Sequence, residues 1–113
     1  MQLVRYESLE PFTTKDGSII REYLHTAAQS LAEATLEPGQ STERHYHRLS
    51  EEIYLIVAGG GRLEVDGDGR EVGAGDAILI PPGAWHRLIA GTGGARLLCC
   101  CVPAYSHDDT YFE

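Results

Sequence analysis

GQSTERHYHRLSEEIYLIVAG, residues 39–59, is the stretch on which the fold turns. It runs from the turn Pro38-Gly39 to the glycine triplet Gly59-Gly60-Gly61. Two segments inside it have strand character, residues 44–47 and 52–58, joined by the short connection Arg48-Leu49-Ser50. On a strand, His45 and His47 share one face, with backbone positions about 6.5–7 Å apart. Two imidazoles so placed form a pincer for a metal ion. Glu51 and Glu52 open the second segment. If that strand returns antiparallel, a carboxylate at its mouth reaches the same point. Tyr54 and Ile56 share parity with Glu52 and are expected to point with it into the interior.

A second stretch, GDAILIPPGAWHRLIA at residues 75–90, holds a third histidine. The stiff turn Pro81-Pro82-Gly83 stands just before His86 and suits a side chain whose direction must be fixed. Outward from these two stretches the same texture continues. Short strand-like runs lie at residues 19–24, 30–36, 62–66, 70–72, 77–80, 85–89 and 96–102. Between them stand Asp16-Gly17, Asp66-Gly67-Asp68-Gly69, Gly73-Ala74-Gly75-Asp76 and Gly91-Thr92-Gly93-Gly94, where glycine supplies positive φ and Asp caps the turn. No window shows a sustained 3.6-residue period, so no helix is expected. Many short strands with polar turns predict an all-β sandwich or closed barrel.

The chain has 113 residues, enough for a single domain over 1–113 that buries about two-thirds of its surface without disulfide staples. Its net charge of −8 argues against nucleic acid or an anionic membrane as partner. The longest apolar runs, residues 53–58 and 97–102, are about a third of the roughly 20 residues a spanning helix needs. No signal peptide is visible at the N-terminus, and the protein is expected to be soluble and cytoplasmic. Cys99, Cys100 and Cys101 are consecutive, which is no disulfide framework. On a strand they alternate faces and cannot all reach one ion, so they read as small buried hydrophobes. Arg44, Arg48 and Arg87 flank the histidines and read as solvated surface, while His107 reads as a surface or core residue. Tyr23 and His25, on an early strand, are within reach of a pocket mouth, with a surface or core role as the preferred alternative. Residues 97–102 are apolar on both faces, so either the N-terminal segment or a second subunit must cover the outer one.

With three imidazoles and one carboxylate, the chemistry suits a divalent transition ion. The spacing of both stretches resembles the cupin superfamily, in its small single-domain form. In the first motif, at 39–59, Gly39 is followed by five residues, His45-Tyr46-His47, four residues, Glu52, six residues and Gly59. In the second, at 75–90, Gly75 is followed by five residues, Pro81-Pro82-Gly83, two residues, His86, three residues and Ala90. Ala90 stands where the family pattern has Asn, a position that is not normally a ligand. Glu51 is the rival carboxylate, but choosing it would put Ala58 where the glycine belongs.

The resemblance implies a double-stranded β-helix, or jelly roll, with one metal site inside the barrel. Its ligands would be His45, His47, Glu52 and His86, and the ion Mn, Fe, Ni, Co, Cu or Zn. It also implies a metal-dependent enzyme on a small oxygen-bearing organic substrate, with dioxygenase, isomerase or cyclase-like chemistry. The other reading is a non-catalytic cupin that binds a small ligand or senses it. Small cupins often pair, so a homodimer is expected.

Overall fold

The computed structural model describes residues 1–113. Nine strands make up the fold: β1 (Phe12–Thr13), β2 (Ile19–His25), β3 (Ser30–Leu36), β4 (His45–His47), β5 (Glu51–Val65), β6 (Asp68–Gly73), β7 (Ala77–Ile80), β8 (His86–Val102) and β9 (Thr110–Phe112). The only helical pieces are single 3₁₀ turns at Tyr6–Ser8 and His107–Asp109. Every strand pairing is antiparallel. The all-β jelly roll expected from the sequence is the fold observed.

The barrel is organised by β5 and β8, which pair along nearly their whole lengths. The first half of β5 pairs the second half of β8, from Glu51↔Val102 to Ile56↔Leu97. The second half of β5 pairs the first half of β8, from Gly61↔Ala90 to Val65↔His86. Around the first pair gather β1, β2, β3 and β7; around the second gather β4, β6 and β9. Two layers therefore share two continuous strands.

Residues 52–58 and 62–66 are thus one strand, not two, and the same holds for 85–89 and 96–102. The glycines between them read as turns because that is their commonest use. Here they let two main chains stay paired while the sheet bends, with register shifts between Ile56 and Ala58 and between Gly59 and Gly61. Gly59 has φ +68, and a Cβ there would run into the Gly94 carbonyl. Strands β1 and β9, too short to show a period, were not visible in the sequence.

Alternation decides what faces inward. Along Glu51–Ile56 every second residue is buried: Glu52, Tyr54 and Ile56. Tyr54 and Ile56 join Leu36, Leu63, Leu88 and Leu97 in one core between the layers. The opposite face of the same strands is apolar and exposed at Ile53, Leu55, Leu79 and Val102. The N-terminal segment does not cover it. Tyr6 instead lies against Tyr23 and donates a hydrogen bond to Glu33 Oε1 at 3.3 Å, on the β2–β3 side.

Candidate metal centre

The short strand β4 turns His45 and His47 inward and leaves Tyr46 between them facing out, where its ring stacks on Tyr111 at 5.0 Å. Cross-strand register sets His45 directly opposite His86 at the start of β8. The Pro81-Pro82-Gly83 turn before His86 is tied down from two sides. Gly83 N donates to the His47 carbonyl at 2.7 Å, and Trp85 N donates to Asp66 Oδ1 at 2.9 Å. The Asp66-Gly67 corner of the β5–β6 hairpin, with both residues at positive φ, therefore helps aim His86. The connection from β4 to β5 is held by the buried carboxylate of Asp109, which accepts the Leu49 and Ser50 amides at 3.0–3.1 Å.

The result is a cluster. His45, His47 and His86 are 2%, 4% and 1% exposed, and each offers a nitrogen within 4.8 Å of the others. Glu52, the first inward residue of β5, sets Oε1 at 3.4 Å from His47 Nε2 and 3.5 Å from His86 Nε2. Glu51 points to solvent. The four residues named from the sequence come together, and the choice of Glu52 over Glu51 agrees with their burial.

The hydrogen bonds on the far side of each ring fix what the near side offers. His45 Nδ1 donates to the Glu43 carbonyl at 2.7 Å, and His86 Nδ1 to the Ala84 carbonyl at 2.9 Å. The Thr110 hydroxyl gives its proton to the Ser106 carbonyl at 2.9 Å, so its oxygen accepts from His47 Nδ1 at 3.2 Å. A neutral imidazole protonated at Nδ1 carries a bare lone pair at Nε2. All three Nε2 atoms thus face inward as electron-pair donors, in the way that supporting hydrogen bonds orient metal-binding histidines. His86 Nε2 and Glu52 Oε1 are buried with no hydrogen-bond partner. Leaving such atoms unmatched costs roughly 1–3 kcal/mol each, more when charged. A divalent cation fits this donor set, since it would satisfy both atoms at once.

The electrostatics point the same way. Burial lowers the His45 value to about 4, helped by the neighbouring His86. Burial opposes charge on Glu52, but the facing His47 and His86 imidazoles outweigh it and hold the carboxyl at about 2. Burial also works against the His47 cation, but the Glu52 carboxylate prevails and raises it.

A cavity opens beside the cluster. His45, His47 and Glu52 lie on its wall, with Ile20, Leu36, Leu88 and Leu97 as apolar lining and Asp16, Tyr54 and Tyr105 as polar lining. Of the four pocket residues expected from the sequence, only Tyr54 lines it. Ile56 is 1% exposed and belongs to the packed core behind. Tyr23 lies against Tyr6, and His25 sits exposed beside Glu22 at 3.1 Å, because β2 turns these two side chains away from the cavity. Asp16, Tyr105 and Thr110 were missed, for they come from loops and a short strand without periodic signal. Cys99 and Cys101 also line the cavity while Cys100 does not, as alternation on a strand requires. Arg44 lies over the Trp85 ring at 4.7 Å and Arg87 pairs with Glu64 at 3.0 Å. Arg48 and His107 are exposed.

A barrel of two layers sharing β5 and β8, with a histidine cluster between them, is the cupin arrangement. The chain belongs to the cupin domain family, whose pattern it matches over residues 32–101. It is 46% identical over 111 residues to the uncharacterized protein MJ1618 of Methanocaldococcus jannaschii, covering 93% of this chain and 89% of that one. It is 38% identical over 80 residues to the dimethylsulfoniopropionate lyase DddW of Ruegeria pomeroyi, covering 71% of this chain and 48% of the lyase. In structure it is similar to the Streptomyces protein Pac13, a nucleoside dehydratase, with TM-score 0.85 at 19% identity over 100% of this chain and 91% of that one.

Proposed function

We propose that this cupin is a metal-dependent enzyme acting on a small oxygen-bearing organic substrate inside the barrel. The observation that supports the reading is the set of three bare Nε2 atoms beside the unpartnered Oε1 of Glu52, at the wall of a cavity. His45, His47, Glu52 and His86 would hold one divalent transition ion. When bound, the ion supplies Lewis-acid or redox chemistry. The remaining work belongs to residues of the chain. Ile20, Leu36, Leu88 and Leu97 exclude water and favour a compact organic body. Burial pushes the Tyr54 and Tyr105 hydroxyls above the ordinary phenol value, so both stay protonated and can donate to a substrate oxygen. Asp16 Oδ1 is held by Thr14 Oγ1 and Ser18 Oγ at 2.6 Å and by Ser18 N at 2.9 Å, which fixes the carboxylate at the cavity wall.

Similarity to a lyase and a dehydratase supports turnover over passive binding. Dioxygenase, isomerase and cyclase-like reactions all fit a metal centre with an adjoining organic cavity. Three free cysteines suit a reducing cytoplasm. The test has two stages. Protein purified without added metal is first assayed for bound elements. Metal-loaded protein is then screened against enols, diketones, hydroxy acids and sugars, with and without O₂. Turnover lost in both His47→Ala and Glu52→Ala is expected. Turnover that persists in both overturns the reading, and tight binding of a molecule recovered unchanged makes the protein a binder.

A further inference from the structure

We infer that Cys101 is a positioning residue that makes Glu52 a one-oxygen metal ligand, by holding Oε2 so that only Oε1 is left for the ion. The inference rests on the reading of Glu52 as a ligand. Cross-strand register places Cys101 on β8 directly opposite Glu52 on β5. Both residues are buried, at 2% and 5% exposure. The Cys101 thiol donates to Glu52 Oε2 at 3.3 Å. The other oxygen, Oε1, has no hydrogen-bond partner and lies toward His47 and His86.

The two oxygens of one carboxylate thus have different surroundings. A carboxylate free to rotate can bind an ion through either oxygen or through both. A donor fixed on one oxygen removes that freedom and orients the other. The thiol is a weak donor, but its acceptor is charged, which strengthens the bond. The sulfur serves the carboxylate and is not itself bound to the ion.

The test compares wild type with Cys101→Ala, which deletes the donor, and Cys101→Ser, which keeps one. Affinity for Co²⁺ and Zn²⁺ is measured by competition with a chelator, and the Co²⁺ form is examined by absorption spectroscopy. Loss of a group that supports a metal ligand typically weakens binding about 10–100-fold. Cys101→Ala is expected to fall in that range, and Cys101→Ser to recover most of the loss. Thermal melting of the metal-free variants separates lost affinity from lost folding, since a serine variant as stable as the alanine variant must still bind better. Equal affinity of Cys101→Ala and wild type overturns the inference, as does a sulfur-to-cobalt charge-transfer band in wild type, which would make Cys101 a ligand. Wild-type protein that binds neither ion overturns the metal centre itself, and the inference with it.

Discussion

His47 carries the largest share of the pH response expected of the metal centre. Metal binding needs all three imidazoles neutral, so protons compete with the ion. His45 is held at about 4 by burial and stays neutral through the mildly acidic range. His47 is raised by Glu52 and is therefore protonated earlier as pH falls. Affinity for the ion is expected to start dropping above the ordinary imidazole value as pH descends, with one proton taken up per ion released. Titration calorimetry in buffers of different ionisation enthalpy measures that stoichiometry. His47→Ala is expected to lose most bound metal, which elemental analysis of the purified variant checks. Stability of the metal-free protein follows a separate rule. The Glu52 carboxyl is depressed from 4.5 to about 2, so its contribution is present above 4.5 and disappears as pH falls toward 2. Chemical denaturation of the metal-free protein at a series of pH values should show that loss, and Glu52→Gln should flatten it.

Among the elements, the β5–β8 pair decides most of the fold, and Gly59 is its weak point. A side chain there would meet the Gly94 carbonyl from a backbone with φ +68. Gly59→Val is expected to cost about 2–4 kcal/mol, from positive φ plus overpacking. Leu97→Ala, in the core on the partner strand, is expected to cost about 2–5 kcal/mol. Urea titration of both variants checks the two values. Much of this was legible in the sequence: alternation around Glu52, Tyr54 and Ile56 named the inward face, and two histidines two apart named the cluster. What could not be read was continuity through glycine, because a glycine triplet has the same composition in a turn and in a bend. Nor could Asp109, Thr110 and Cys101 be assigned, since each acts through a contact between residues 49 to 63 positions apart. Parity turned both Tyr54 and Ile56 inward, yet only Tyr54 lines the cavity, because alternation says which face a residue takes and not how deep along the strand the cavity extends.

For the molecule as a whole, the exposed apolar face of β5, β7 and β8 is the feature a single chain leaves uncovered. Ile53, Leu55, Leu79 and Val102 are 45%, 39%, 56% and 52% exposed on that one face. A second copy related by a two-fold axis would cover it, and the homodimer we propose is expected to show about twice the chain mass by light scattering. Ile53→Lys with Leu79→Lys should give monomers that keep their metal; unchanged mass in that variant would falsify this choice of face. The ligands have a consequence of another kind. His45 on β4 and His86 on β8 come from distant parts of the chain, and one ion held by both would act as a rivet between them. It would close a loop of some 40 residues, comparable in reach to a disulfide that restrains the unfolded chain by about 4 kcal/mol. The loaded barrel should then come apart only after its ion dissociates. Its lifetime in denaturant would be set by the rate at which the ion leaves, with chelator only preventing its return, and a slow-exchanging ion would make the same protein kinetically durable.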